Sequence, residues 1–263
     1  MSFKHIISRD NAVFKHLKRI ADNARDRKRE SMTLLDGVHL IEAYIQVFGE
    51  PELLIIPEGK SSHEATVLVQ QFEHVNTVMF PTLMFAELTP VATSTGVLAL
   101  VKTPQLPVPE QVDFALMLED IQDPGNMGSI LRTAAAAGVQ KVYLSKACTD
   151  AWSPKALRGG QGAQFVLPIV HDVDLIDVLQ HYDGLSYALA MHGESLYQQY
   201  LDSACLFIVG NEGAGISSNL LNAANKVISI PMAQSSALAV ESLNAAAATA
   251  IALFECRRQK ALV

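Results

Sequence analysis

Short apolar segments alternate with helical segments through the second half of this chain of 263 residues. Strands are predicted at residues 114–121, 141–145, 165–170, 185–191, 204–210 and 226–232. Helices are predicted at residues 128–138, 173–182, 216–224 and 241–260. Apolar strands separated by helices are typical of a parallel sheet that is covered on both faces. Such a sheet binds its ligands in the loops at the carboxyl ends of the strands.

The first half also alternates between strands and helices, and a proline-rich segment separates it from the second half. Its predicted elements are a helix at 11–29, a strand and a helix within 33–49, a strand at 52–59, a helix at 62–73, and strands at 75–80 and 95–101. Residues 102–111 contain three prolines, which remove backbone donors and disfavour regular structure. We therefore predict one domain at 1–101, a linker at 102–111 and a second domain at 112–263.

The composition excludes several classes of protein. Hydrophobic residues make up 49% of the chain and charged residues 18%, which is typical of a globular protein and not of a disordered one. No apolar run approaches the roughly 20 residues that span a bilayer, and the N-terminus has no apolar signal segment. The three cysteines, Cys148, Cys205 and Cys256, are widely spaced, which argues against a disulfide framework or a zinc site. We expect a protein of the reducing cytoplasm.

The formal net charge is −7, but the charge is unevenly distributed along the chain. Residues 1–35 contain nine Lys or Arg and four Asp or Glu, whereas the rest of the chain is acidic. The centre of this basic arm consists of Arg25, Arg27, Lys28 and Arg29. A basic arm on an acidic body indicates a contact with a polyanion, and charge alone is equally consistent with a solvated helix end.

The first of three glycine-containing loops, residues 123–132, follows the strand at 114–121 and begins a helix. Gly125 and Gly128 allow close approach of a ligand, and the backbone amides at a helix start favour a negative group. Asn126 and Arg132 add polar side chains. The alternative is a glycine-rich turn that carries a surface arginine.

Two further loops have a similar character. In residues 206–217, Gly210, Gly213 and Gly215 do not match the G-x-G-x-x-G turn of a Rossmann-type nucleotide enzyme. Glu212 in that loop would repel phosphate, so the loop suits an uncharged or cationic group. In residues 228–250, a strand ends at Pro231, and the later polar residues either bind a ligand or cap a helix.

Together and in this order, the three loops resemble the signature of the SpoU/TrmH family of RNA ribose 2′-O-methyltransferases, within the SPOUT class. The first is similar to the N-x-G-x-I-x-R-T-A block, with Asn126, Gly128, Ile130, Arg132, Thr133 and Ala134. The second is similar to the G-x-E-G-x-G block, with Gly210, Glu212, Gly213 and Gly215. The third is similar to the I-P-M…S-L-N block, with Ile230, Pro231, Met232, Ser242, Leu243 and Asn244.

The resemblance implies an α/β fold with a C-terminal parallel-sheet SPOUT domain that carries a deep trefoil knot. It covers residues 113–258, and residues 152–165 resemble a further family segment. More loosely, residues 8–101 resemble the family's smaller N-terminal α/β domain, which is L30e-like and binds the RNA substrate. Nine residues, 233–241, separate Met232 from Ser242, more than in most family members.

The resemblance also implies a reaction, in which a methyl group passes from S-adenosylmethionine to a ribose 2′-hydroxyl of structured RNA. The residues carried over to catalysis are Arg132, Asn126, Glu212, Ser242 and Asn244, and those carried over to the cofactor site are Gly210, Ile230, Met232 and Leu243. We expect Arg132 to act by positioning and electrostatics, with a base role as the alternative, because a guanidinium is normally protonated.

The expected partners are RNA and a second copy of the chain, since the family works as homodimers. No metal is expected, because the eight histidines are scattered without metal-ligand spacing. A separate N-terminal RNA-binding domain favours ribosomal RNA over transfer RNA. The remaining alternatives are a transfer-RNA methyltransferase and an RNA-binding SPOUT protein without catalysis, although the latter would be expected to lose the motif residues that are present here.

Overall fold

The computed structural model describes residues 3–59, 61–89, 94–233 and 242–261. The chain divides into two compact units. Unit 1 comprises the residues up to Gln105 together with Asp150–Phe165, and unit 2 comprises Leu106–Thr149 and the residues from Val166 onward. The division after Gln105 lies inside the proline-rich segment 102–111. Residues 150–165 pack with unit 1, although the predicted domain limits assigned them to the second domain.

Ten helices and strands are described between residues 3 and 102. They are β1 (Lys4–His5), α1 (Ala12–Asp22), α2 (Ala24–Glu30), β2 (Met32–Asp36), α3 (Val38–Phe48), β3 (Leu53–Pro57), α4 (His63–Gln71), β4 (Thr77–Phe80), α5 (Thr82–Ala86) and β5 (Leu98–Lys102). In unit 1 they form a mixed sheet in the order β1-β4-β3-β5-β2, in which β5 runs antiparallel to both of its neighbours.

The remaining helices and strands begin at residue 114. They are β6 (Phe114–Leu118), α6 (Pro124–Ala137), β7 (Lys141–Leu144), α7 (Pro154–Gly160), β8 (Ile169–Val170), α8 (Leu175–His181), β9 (Leu185–Ser195), β10 (Cys205–Val209), α9 (Ser218–Ala223), β11 (Lys226–Ser229) and α10 (Ala245–Lys260). Of these, α7 lies in unit 1 and the others lie in unit 2. Among the described residues, no helix combines the length and the apolar character needed to cross a bilayer.

The sheet of unit 2 is parallel throughout, in the order β11-β9-β10-β6-β7-β8. This confirms the predicted α/β class with a parallel C-terminal sheet. All five residues of β6 and all five of β10 are buried, as expected for central strands that are covered on both faces. The loops after β6 and β10 therefore leave neighbouring strands at the same edge of the sheet.

The helix predicted over residues 11–29 is interrupted at Asn23. This residue has extended backbone angles, ends α1, and accepts a hydrogen bond from the backbone N–H of Arg25 through its side chain. An asparagine that caps the backbone in this way offers it an alternative to a continuous helix. Because α2 is a separate helix, the three- and four-residue spacing of α1 does not predict which way the basic side chains of α2 face.

The strand predicted over 165–170 is also shorter than expected. Ala163–Phe165 form a 3₁₀ turn, and pairing is confined to Ile169 and Val170. The Phe165 ring is buried in the core of unit 1, against Tyr44 and Phe48. Tertiary burial of this ring therefore outweighs the strand preference of the apolar run.

Segment 150–165 is attached to the rest of unit 1 by buried polar contacts. Arg27 is 5% exposed, and its Nε donates to Oδ2 of Asp150 at 2.6 Å. Its Nη1 also donates to the carbonyl oxygens of Ile20 and Ala21. A guanidinium that is buried and paired in this way does not reach an RNA phosphate, so Arg27 is removed from the predicted RNA-binding set.

The other basic residues of the arm are exposed, and their charges are partly balanced. Arg29 forms ion pairs with Asp26 and with Glu30. Arg25 and Lys28 lie exposed on the same short helix, α2. RNA binding by Arg25, Lys28 and Arg29 stays a prediction.

Candidate active site

The first motif loop is shorter than predicted, because α6 begins at Pro124 and not at residue 128. Asp123 caps this helix, with its Oδ1 accepting from the backbone N–H of Asn126 at 2.9 Å. Pro124 follows at the first helical position, where a missing N–H costs nothing. Asn126 and Gly128 therefore lie on the first turns of a helix.

The second motif loop is a small closed turn at the carboxyl end of β10. The backbones of Asn211 and Gly215 exchange two hydrogen bonds, of 3.1 and 2.9 Å. This closure brings Gly215 and Ile216 against Gly210, where a Cβ atom would lie 2.3 to 2.4 Å from their backbone atoms. Gly210 is therefore required by the packing of the loop itself.

The third motif is described in two parts, because residues 234–241 lie outside the described residues. The expected effect of the long 233–241 segment therefore falls almost entirely on residues about which the structure says nothing. Before it, Ile230 is half-buried and Met232 is 38% exposed. After it, Leu243 is half-buried, Ser242 is exposed, and Asn244 caps α10 by accepting from the backbone N–H of Ala246 at 2.9 Å.

Three predicted catalytic residues, one from each loop, form a continuous hydrogen-bonded series. Oε1 of Glu212 accepts from Nδ2 of Asn126 at 3.0 Å. Oδ1 of Asn126 in turn accepts from Nδ2 of Asn244 at 3.1 Å. An ionised carboxylate can only accept, so it orients the amide of Asn126, and that amide orients the next. The two other predicted catalytic residues, Arg132 and Ser242, are not part of this series.

Glu212 also accepts from the backbone of the first loop. Its Oε2 accepts from the N–H of Gln122 at 3.1 Å, and its Oε1 from the N–H of Asp123 at 3.2 Å. Burial raises the pKa of this carboxyl. Hydrogen bonds from Asn126 and from these backbone groups together lower it by more than burial raises it, so the pKa of Glu212 lies below the ordinary value. Glu212 is thus ionised at neutral pH.

The electrostatics at the start of α6 differ from the sequence-based expectation. A free helix start attracts anions, but here the carboxylates of Asp123 and Glu212 accept from its first N–H groups. A phosphate at the same place would meet two negative charges. The expectation of a negative ligand group at this helix start is therefore wrong, and the site favours a neutral or cationic group.

Arg132 lies farther along α6, on an exposed position. Among the residues that the structure describes, its guanidinium has no hydrogen-bond or ion-pair partner. Its charge and its five N–H donors are accordingly available to a ligand outside the described chain. Opposite charges therefore lie at different places along α6. The carboxylates of Asp123 and Glu212 lie at the start of the helix, and the guanidinium of Arg132 lies farther along it.

Two features at this edge were not found from the sequence. In the pairing of β9 with β11, Ala188 lies opposite Val227, but the next residue of β11, Ile228, lies opposite Glu194. Residues 189–193 therefore form a bulge within β9. The bulge starts level with the end of β10, because Ala188 also pairs with Ile208. The sequence signal for this feature was Gly193, because a glycine inside a strand often marks a bulge or a close backbone approach. In the structure, a Cβ at Gly193 would lie 2.5 Å from the Val227 carbonyl oxygen.

The second missed feature is Asn211, which the motif treats as a variable position. Its side chain donates to the carbonyl oxygen of Asp120 and accepts from two N–H groups of its own loop. The signal was the presence of an asparagine directly after a strand, where such side chains commonly order a turn.

The residues at this edge fit a cofactor with an apolar ring and a cationic centre. A Cβ at Gly215 would meet no atom within 4 Å, so the space beside this loop is open. Ile230, Leu243 and Met232 offer apolar surface that is partly accessible. The carboxylates of Glu212 and Asp123 complement a positive charge. These observations agree with the sulfonium cofactor that the sequence predicts.

Comparison with known proteins gives a family for the chain. The model of the SpoU rRNA Methylase family matches residues 113–254. A tRNA/rRNA methyltransferase of Synechocystis sp., described as uncharacterized, is 32% identical over 97% of this chain and 94% of its own length. The 23S rRNA (guanosine(2553)-2′-O)-methyltransferase RlmP of Bacillus subtilis is 30% identical over 97% of this chain and 99% of its own length.

Solved structures agree over nearly the whole chain. The SpoU methyltransferase AviRb of Streptomyces viridochromogenes, in complex with the cofactor AdoMet, has a TM-score of 0.79 at 26% identity and covers 96% of this chain and 100% of its own. A structure described as an RNA 2′-O ribose methyltransferase has a TM-score of 0.81 at 25% identity and covers 98% of this chain and 99% of its own. By sequence and by fold, the chain belongs to the SpoU methyltransferase family.

Proposed function

We propose that this protein transfers the methyl group of S-adenosylmethionine to a ribose 2′-hydroxyl of ribosomal RNA. The observation that supports this most strongly is the series Glu212–Asn126–Asn244, which joins the three motif loops of a SpoU-family chain. An accessible Arg132 on the helix that carries Asn126 supplies the cation that an RNA substrate requires.

S-adenosylmethionine, when bound, supplies a methyl group that its sulfonium already makes electrophilic. The residues of the chain then have two tasks, which are to align the ribose oxygen with that methyl group and to provide for the hydroxyl proton. As the oxygen–carbon bond forms, the carbon–sulfur bond breaks and the proton leaves the hydroxyl. A preorganised site contributes by holding its dipoles in place before the reaction.

In this proposal Arg132 binds the RNA phosphate next to the target ribose and holds the 2′-hydroxyl. Its forked donors suit both tasks, and its charge stabilises negative charge that develops on the oxygen. The Asn126 amide has one further N–H and one further oxygen lone pair that the bonds to Glu212 and Asn244 do not use. With these groups Asn126 hydrogen-bonds the 2′-hydroxyl or Arg132. Ser242 lies exposed within the third motif and shapes the ribose pocket.

The cofactor is held at the carboxyl edge of the parallel sheet. Backbone groups at Gly210, Ile230 and Leu243 bind it, with Met232 adding apolar contact. The bulge 189–193 begins beside the end of β10, and we propose it as a further wall of this site. The negative field of Glu212 and Asp123 favours a sulfonium over an anionic ligand.

Ribosomal RNA is proposed over transfer RNA because the name of the Bacillus subtilis relative, which matches 99% of its length, specifies 23S rRNA. Arg25, Lys28 and Arg29 of unit 1 are proposed to contact its phosphates. We further propose that unit 1 is the L30e-like substrate-binding domain, that unit 2 carries the trefoil knot, and that the protein acts in the cytoplasm without a metal.

A homodimer is proposed as the active form, with each site completed by the partner. Exposed large apolar side chains in unit 2, Met191, Tyr200 and Phe254 among them, supply surface that association would cover. The test mixes an Arg132→Ala variant with a Gly210→Val variant, which are separately inactive. Recovery of methyl transfer in the mixture supports a shared site, and no recovery with intact dimers contradicts it.

The proposed reaction is tested with purified protein and S-adenosylmethionine labelled in its methyl group. Ribosomal RNA and transfer RNA, both lacking modifications, are offered separately, and the labelled nucleotide is mapped. Label in a ribose of ribosomal RNA supports the proposal. Label in transfer RNA alone would show that transfer RNA is the substrate. Binding of RNA without transfer to either substrate would favour a non-catalytic RNA-binding protein.

A further inference from the structure

Asn211 uses its side chain for three hydrogen bonds, although the family motif leaves this position variable. Its Oδ1 accepts from the backbone N–H groups of Gly213 and Ala214, each at 2.9 Å. Its Nδ2 donates to the carbonyl oxygen of Asp120 at 2.8 Å. One end of the amide therefore shapes its own loop, and the other end ties that loop to the segment after β6.

The partner of this donor is held in an unusual conformation. Asp120 is one of four non-glycine residues with positive φ among the described residues, at 54°. Its N–H donates to Oγ of Ser145 at 2.8 Å, and its Oδ1 accepts from the same hydroxyl at 2.5 Å. Left-handed backbone at such a residue costs free energy and persists where surrounding contacts enforce it. The Asp120 carbonyl thus presents a defined acceptor to Asn211.

Asn211 lies between two motif residues, Gly210 and Glu212, so its hydrogen bonds act on both sides of the motif. It directly follows Gly210, where a Cβ atom would lie 2.3 to 2.4 Å from the backbone of Gly215 and Ile216. The backbone hydrogen bonds between Asn211 and Gly215 close the same turn. Glu212, the residue after Asn211, reaches the same segment after β6 through Gln122 and Asp123, and it reaches α6 through Asn126. Asn211 and Glu212 are therefore two adjacent but chemically different connections between the same pair of loops.

Resting on the proposed function, we propose that Asn211 is a positioning residue that sets the affinity for S-adenosylmethionine. Glu212 orients Asn126 and Asn244, which are themselves among the residues proposed for catalysis. Asn211 orients the turn that begins at Gly210, a residue of the proposed cofactor site. Loss of the Asn211–Asp120 bond should accordingly weaken cofactor binding while leaving the rate at saturating cofactor nearly unchanged.

Asn211→Asp removes this bond with a replacement of the same shape, and it also adds a negative charge beside Glu212. Asn211→Ser removes the same bond without adding a charge. The carboxylate still accepts from Gly213 and Ala214, but it presents an oxygen to the Asp120 carbonyl where a donor is needed. Asn219→Asp is the matched control: it makes the same change on the exposed face of α9, and Asn219 has no hydrogen-bond partner among the described residues.

The experiment measures the dissociation constant of S-adenosylmethionine by calorimetry, together with KM, kcat, RNA affinity and the midpoint of thermal unfolding. For Asn211→Asp, we expect the dissociation constant and the KM for the cofactor to rise about tenfold or more. We expect kcat and RNA affinity to stay within about twofold, and Asn219→Asp to match the wild type. Asn211→Ser, which retains an acceptor for the turn, should show the same split.

A merely structural role would lower kcat, RNA affinity and the unfolding midpoint together, and that outcome overturns the proposal. Unchanged cofactor affinity in Asn211→Asp also overturns it while leaving the proposed reaction intact. If the aspartate variant does not fold, the affinity of Asn211→Ser decides by the same criterion. Failure of the wild-type protein to bind S-adenosylmethionine would instead refute the proposed function itself.

Discussion

The side-chain amide of Asn244 donates a 3.1 Å hydrogen bond to Oδ1 of Asn126, across 118 positions of sequence. Asn244 simultaneously caps α10, and Asn126 simultaneously donates to Glu212. Each of these polar groups is therefore oriented by its neighbours before any ligand binds. The site gains preorganisation from side chains that, taken singly, would be described as helix caps or loop residues.

Replacement of Arg132 tests the proposed chemistry. Arg132→Ala and Arg132→Lys should both retain cofactor binding, because the side chain forms no hydrogen bond or ion pair with the described residues of the cofactor loops. Both should lose methyl transfer by roughly two orders of magnitude or more, the scale of losing an electrostatic or acid–base group. Single-turnover rates on the true RNA measure this, and near-normal turnover by Arg132→Ala would remove the residue from the mechanism.

Glu212→Gln tests the carboxylate that receives three donors. An amide has one acceptor oxygen, so its NH₂ group must face at least one of the donors from Gln122, Asp123 or Asn126. We expect kcat to fall roughly tenfold, equivalent to about 1.4 kcal/mol, with a lower unfolding midpoint. A variant with wild-type rate and midpoint would contradict the role of the series.

The pH dependence of this difference follows from the lowered pKa of Glu212. A carboxyl whose folded pKa lies below its unfolded value stabilises the folded state fully above the unfolded pKa of about 4.5. This stabilisation is lost as the pH falls through the folded pKa. The difference in unfolding midpoint between the wild type and Glu212→Gln should be constant from about pH 9 to pH 6 and should shrink at acid pH. A difference that grows on acidification would show the opposite linkage.

Gly210 and Gly213 should respond differently to a side chain. Gly210→Val would place its Cβ into the backbone of Gly215 and Ile216, so the turn must open. We expect loss of S-adenosylmethionine binding, with a lower unfolding midpoint. Gly213→Ala is the control, because a Cβ there meets only Oδ1 of Asn211 at an ordinary 3.6 Å. Calorimetry that finds full affinity in Gly210→Val would exclude this loop from the cofactor site.

The basic arm should separate into residues for binding and a residue for stability. Charge reversal of Arg25 and Lys28 should weaken RNA binding and reduce the salt slope by roughly 0.7 to 0.9 per lost phosphate contact. Cofactor affinity should not change. Filter binding over a range of salt concentrations measures both quantities, and an unchanged slope would leave the arm as a solvated helix.

Arg27→Ala should instead lower the stability of the protein. The substitution leaves Asp150 without its guanidinium partner, at a site where the Arg27 side chain is 6% exposed. Breaking a buried ion pair from one side costs about 3 to 5 kcal/mol. Chemical denaturation measures this loss, and a loss below about 1 kcal/mol would show that the pair is dispensable.

The sequence alone determined the class of unit 2 and the identity of the motif residues. Continuous apolar runs such as Phe114–Leu118 and Cys205–Val209 predict buried parallel strands, since the pattern arises from burial on both faces. The motif residues after those strands were identified by resemblance, and the order of parallel strands accounts for their meeting at one edge. Local signals therefore located the loops at this edge of the sheet, and the roles of their residues stay predictions.

The tertiary structure alone decided which side chains pair. Arg27 resembled its exposed neighbours until Asp150, 123 positions away, proved to be its partner. Cys205 and Cys256 looked unrelated in sequence, yet their free thiols lie buried with the sulfur atoms 3.2 Å apart. Periodicity and capping depend on residues within one or two turns, whereas these contacts depend on how distant elements fold against one another. For the same reason, the two carboxylates that reverse the expected charge at the start of α6 became visible only in the folded chain.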